Sequence, residues 1–90
     1  MKLVYPAIFK PFSDGSGGYV VEFPDLPGCV TGGDSIKEAM EMAIDAASGW
    51  ILGEIEDGVP IPEPSQGLVC NDEGFIKCMH LDIDAYAKNL

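Results

Sequence analysis

Apolar and polar residues alternate with a period of two over residues 3–10, LVYPAIFK, which places Leu3, Tyr5, Ala7 and Phe9 on one face of a strand. Pro6 has no N–H for a ladder and marks an edge position or a bulge. Residues 13–18, SDGSGG, form a glycine-rich turn into a second strand over 19–23, so the two strands read as a hairpin with a long loop. Residues 24–28, PDLPG, make a rigid turn in which two prolines fix their own φ and Gly28 permits a positive one. A short third strand over 29–31 closes at Gly32 and Gly33 and completes an antiparallel meander.

The period then changes. Ser35, Ile36, Lys37 and Glu38 spell a capping box, with Asp34 beside the positive end of the helix dipole. Apolar residues recur at Ile36, Ala39, Met40, Ala43, Ile44, Ala47, Trp50, Ile51 and Ile55, the three-and-four spacing of an amphipathic helix over 35–56. This stripe predicts that Ile36, Met40, Ala43, Ile44, Ala47 and Ile51 pack on the sheet. Gly49 and Gly53 imply a close approach to the sheet or a bend, and Gly58 with Pro60 ends the helix.

Residues 60–67, PIPEPSQG, read as an extended strap returning to the sheet. A brief strand over 68–70, a turn over 71–74 and a last strand over 75–83 follow, and residues 84–90 suit one or two helical turns. The expected architecture is α+β, an antiparallel β-β-β-α-β with one main helix across one sheet face. Tyr5, Phe9, Tyr19, Phe23 and Trp50 fit its core by spacing.

A chain of 90 residues is one domain with a small core, which a second subunit would support. An edge-like first strand and an alternating last strand leave backbone free to pair, so self-association as a two-fold dimer or a higher homo-oligomer is expected.

Fifteen acidic residues oppose five lysines, with no arginine, for a net charge of −10. Direct nucleic-acid binding needs clustered basic residues and is not expected of this chain. A field of this sign favours a cationic partner. The three cysteines, Cys29, Cys70 and Cys78, with the single His80, give no four-ligand zinc pattern, and they read as reduced cytoplasmic thiols. Cys29 and Cys78 read as small hydrophobes in strands. The N-terminus lacks the long apolar stretch of a signal peptide, and no apolar run is long enough to span a membrane.

The chemistry-bearing residues do not assemble into a catalytic set. Strand one carries no acid, strand two only Glu22, and the helix acids fall largely away from the apolar stripe. Cys78 and His80 share a strand face without a third orienting group. Gly32–Ser35 precedes a helix without any phosphate-loop motif, and Asp34 would repel a phosphate. No catalytic residue, metal or cofactor is therefore expected, and the chain reads as a non-enzyme. The enzymatic alternative is a residual metal-dependent nuclease, with Glu22, Asp25 and Asp34 as its ligands.

Residues 18–47, GYVVEFPDLPGCVTGGDSIKEAMEMAIDAA, resemble the HicB-like antitoxin family. Tyr19, Phe23, Pro24, Asp25, Leu26, Pro27, Gly28, Cys29, Thr31, Gly33, Asp34, Glu38 and Ala39 carry the resemblance, flanked by Tyr5–Phe9 and Gly58–Ser65. It implies a partly degraded ribonuclease-H-like domain without catalytic carboxylates, spanning residues 1–90. It also implies a small basic HicA-type ribonuclease toxin as partner, whose active-site histidine the antitoxin covers. The helix-turn-helix or ribbon-helix-helix module frequent in the family has no counterpart before Leu90, which fits a truncated chain or a short member. A transcriptional regulator in a longer form is the other alternative. The expected toxin contacts are Glu22, Asp25, Leu26, Glu38, Glu41 and Asp45, with the rigid loop 24–28 at their centre.

Overall fold

The alternation along the first strand survives in three dimensions. In the computed structural model, which describes residues 1–67 and 74–88, Tyr5, Ala7 and Phe9 are fully buried on the helix-facing side. The elements are β1 (Lys2–Pro11), β2 (Tyr19–Glu22), β3 (Val30–Gly33), α1 (Ile36–Glu56), β4 (Phe75–Asp82) and α2 (Ile83–Lys88). The brief strand expected over 68–70 and most of the turn over 71–74 lie outside the described residues. The architecture is α+β, with an antiparallel sheet in the order β3-β2-β1-β4 and α1 on one face.

β1 is an interior strand of this sheet, not an edge. Pro6 is tolerated because β2 pairs only with Ile8 to Pro11, leaving β4 as the ladder neighbour of Pro6, opposite Cys78. The edges of the described sheet are β3 and β4.

The helix begins as its sequence dictates. The Ser35 hydroxyl accepts from the Glu38 N–H at 3.1 Å, and the Glu38 carboxylate accepts from the Asp34 N–H at 3.0 Å, one residue further out than a standard capping box. At the other end Gly58 turns at φ +71° and donates to the Ile55 carbonyl.

Of the expected face, Ala43, Ala47 and Ile51 are buried and Met40 packs at the core margin, whereas Ile36 and Ile44 lie outside it. Ala39, Ala43, Ala47 and Ile51 form a single i, i+4 row and are each fully buried, whereas Ile36 and Ile44 are 39% exposed. An i, i+4 row drifts about 40° per step around a helix, and the neighbouring row of Ile36, Met40 and Ile44 falls on the flank. Small side chains win the buried row because they let the helix backbone approach the sheet. A Cβ on Gly33 would lie 2.5 Å from the Ala39 nitrogen, so only glycine fits in β3 there.

Gly49 and Gly53 do not serve an approach to the sheet. A Cβ on Gly49 would lie 3.0 Å from the Tyr86 hydroxyl of α2, and one on Gly53 would meet nothing within 4 Å. Cys29 is buried, which pushes its thiol pKa up, whereas Cys78 is exposed and is no core residue. Tyr5, Phe9 and Phe23 are buried in the core, with Tyr19 and Trp50 packed at its margin.

The other sheet face has no layer over it among the described residues. By register it carries Lys2, Val4, Pro6, Ile8 and Lys10 from β1, Val20 and Glu22 from β2, Val30 from β3, and Ile76, Cys78, His80 and Asp82 from β4.

Candidate functional site

The loop at residues 24–28 is built by its own backbone. Leu26 N–H donates to the Phe23 carbonyl at 3.1 Å, Cys29 N–H to the Leu26 carbonyl at 2.9 Å, and Phe23 N–H to the Cys29 carbonyl at 3.1 Å. Gly28 takes φ +81°, which an L side chain rarely adopts.

Three tertiary contacts then clamp the loop and strap. The Trp50 indole N–H donates to the Pro27 carbonyl at 3.0 Å. Ser65 donates its backbone N–H to the Asp25 carboxylate at 2.8 Å, and its hydroxyl donates to the other carboxylate oxygen. The Tyr5 hydroxyl donates to the Pro62 carbonyl, so the strap runs from β1 to the loop. Burial, reinforced by the negative charges of Asp25 and Glu63, raises the Tyr5 pKa.

The structure separates the six expected contact residues. Leu26 is fully buried and forms part of the core, so its side chain is not on the surface. Asp25 is half-buried, with both carboxylate oxygens taken by Ser65. Glu22 is exposed on the sheet face opposite α1, paired in register with Ile8 and Val30. Glu38, Glu41 and Asp45 are exposed together on α1, within an arc of about 60° set by helix geometry. The expected residues thus divide among an outward acidic row on α1, the latched loop and, for Glu22, the far sheet face.

Glu22, Asp25 and Asp34 do not converge, and among the described residues no group of three or more His, Cys, Asp or Glu is placed to hold a metal ion. Gly33 before the helix is explained by its packing on Ala39. Among the described residues no helix is long and apolar enough to cross a membrane. Ser65, Tyr5 and Trp50 are the positioning residues that sequence reasoning missed. The proline-rich strap was visible, but nothing local pairs residue 65 with residue 25.

The residues thus build an acidic α+β domain with a loop clamped by Trp50 and Ser65. Residues 5–86 match the family model of the HicB-like antitoxin of bacterial toxin–antitoxin systems, and the chain belongs to that family. It is 43% identical over 60 residues to antitoxin HicB 1 of Photorhabdus laumondii subsp. laumondii, covering 67% of this chain and 37% of that protein. It is 41% identical over 61 residues to antitoxin HicB of Escherichia coli K12, covering 68% of this chain and 43% of that protein. The chain thus matches less than half the length of these curated relatives. Among solved structures, a chain of a toxin–antitoxin complex from Streptococcus pneumoniae superposes with a TM-score of 0.78 at 27% identity, covering 96% of this chain and 73% of that one.

Proposed function

We propose that this chain is a cytoplasmic antitoxin that binds a small basic HicA-type ribonuclease toxin and covers its active site. Its sheet and helix are read as a partly degraded ribonuclease-H-like domain spanning residues 1–90, with no catalytic role of its own. Membership of the antitoxin family and the likeness to a toxin–antitoxin complex chain support the partner class. The observation that carries the recognition mode is the row Glu38, Glu41 and Asp45, which faces outward from α1 in a chain of net charge −10.

Charge of this kind acts mainly on encounter. Exposed carboxylates stay solvated and contribute little as single ion pairs, but their summed field accelerates a basic partner. The loop at 24–28 supplies a second, rigid surface, and Asp25 supports it by holding the strap. Glu22, on the other sheet face, lies outside this surface.

The test is the association kinetics of this chain with the product of the neighbouring gene, expected to be a small basic protein. Raising salt from about 50 to about 500 mM shrinks the Debye length from roughly 14 to 4 Å, and the association rate should fall about tenfold or more. Glu41→Lys with Asp45→Lys should slow association further and leave dissociation nearly unchanged. Absence of binding by the neighbouring product would defeat the antitoxin reading. A rate indifferent to salt and to the two reversals would remove the acidic row from it.

A further inference from the structure

The strap after α1 touches the domain at few points. Over residues 59–67 it forms neither helix nor strand, and Pro60, Pro62 and Pro64 have no N–H to pair. Its upstream half is held where Val59 N–H donates to the Glu54 carbonyl at 2.9 Å, where Ile61 packs on the core and where the Tyr5 hydroxyl donates to Pro62. Residues 63–67 are exposed, and among the described residues their hydrogen bonds to the rest of the domain are those from Ser65 to Asp25.

The geometry of that anchor is specific. Ser65 directs its N–H at one carboxylate oxygen of Asp25, 2.8 Å away, and its hydroxyl at the other. Two adjacent donors on two oxygens is the pattern that an arginine guanidinium presents to a carboxylate. The chain contains no arginine of its own.

We infer that Ser65 stands in for an arginine of a basic protein partner, and that the strap end is displaced when that arginine docks on Asp25. The partner class rests on the antitoxin reading, whereas the displacement rests on the latch itself. A guanidinium brings the same two donors together with a positive charge, which the field of a chain of −10 favours. A lysine ammonium has the charge without the fork.

Displacement leaves the loop intact. The backbone bonds among Phe23, Leu26 and Cys29 and the bond from Trp50 to Pro27 do not involve the strap. Tyr5 and Ile61 keep the upstream half in place, so only residues 63–67 need to move. The closed strap also carries an electrostatic cost. The charges of Asp25 and Glu63 both act on the Tyr5 phenol, so closure holds two carboxylates near one hydroxyl. The strap end is therefore an intramolecular competitor that keeps Asp25 satisfied until a partner supplies charged donors.

Backbone amide resonances of the intact chain, recorded with and without the product of the neighbouring gene, test this. On binding, the Ser65 amide should move to the position it has in Asp25→Ala, where the latch is absent. Ser65→Pro removes both donors, and binding should tighten about fivefold because the competent state no longer has to be opened. Ser65→Ala removes one donor and should tighten it about twofold. In the Ser65→Pro background, Asp25→Asn should weaken binding about tenfold or more. Circular dichroism confirms that each variant is folded. If the neighbouring product does not bind, the antitoxin reading fails and the displacement is decided on the chain alone. N-acetyl-argininamide should then shift the Ser65 amide toward its unlatched position several-fold more than N-acetyl-lysinamide does at equal ionic strength. A Ser65 amide that keeps its latched position in the complex, weaker binding by Ser65→Pro, or equal responses to the two amides would overturn the inference.

Discussion

Asp25 and Ser65, separated by 40 positions in sequence, form one latch: the carboxylate accepts the Ser65 backbone N–H at 2.8 Å and also its hydroxyl. The motif aspartate is therefore occupied within its own chain. Asparagine at this position keeps one acceptor oxygen and loses the other. Asp25→Asn and Ser65→Ala should each cost about 1 kcal/mol of unfolding free energy, the range of a partly exposed charge-assisted bond. Urea denaturation of both single variants and the double variant measures their coupling. Additivity within about 0.3 kcal/mol would mean that the latch contributes nothing.

The glycines separate by what surrounds them. Gly33→Ala forces a Cβ against the Ala39 backbone at 2.5 Å and should destabilise by about 2–3 kcal/mol or prevent folding. Gly53→Ala meets open space within the helix and should stabilise by about 0.5–1 kcal/mol. Thermal melts of the two variants should shift in opposite directions.

Within α1, Ile51→Ala should cost about 2–5 kcal/mol because the side chain is fully buried. Ile44→Ala, at a position 39% exposed, should cost about 1 kcal/mol or less. Equal losses in denaturant titrations would contradict the buried row described here.

The raised pKa of Tyr5 has a defined consequence for alkaline stability. The neutral phenol is the form that donates to Pro62, and burial followed by the charges of Asp25 and Glu63 disfavours the phenolate. With the folded value above the ordinary one of about 10, this contribution is complete below about pH 10 and is lost as pH rises through the folded value. Tyr5→Phe should cost about 1 kcal/mol at neutral pH and lose correspondingly less between about pH 8 and 11. Identical alkaline losses in Tyr5→Phe and the parent chain, read from urea midpoints, would exclude Tyr5 as the source.

Local periodicity determined much of this protein. The inward parity of Tyr5, Ala7 and Phe9, the Ser35–Glu38 cap, the positive φ at Gly28 and the helix stop at Gly58 are set by neighbours within five residues, so the sequence alone shows them. The tertiary structure decided what depends on distant partners. β1 became interior because β4 pairs along it from Lys2 to Phe9, and no residue of β1 encodes that neighbour. Ala39 joined the expected Ala43 and Ala47 in the core while Ile36 and Ile44 stayed on its flank, because the close backbone approach at Gly33 favours the small side chains. Leu26 went inside and Asp25 was latched because the strap returns across the loop. A sequence specifies such contacts only through the whole packed chain, in which charge, volume and hydrogen bonds must be satisfied together.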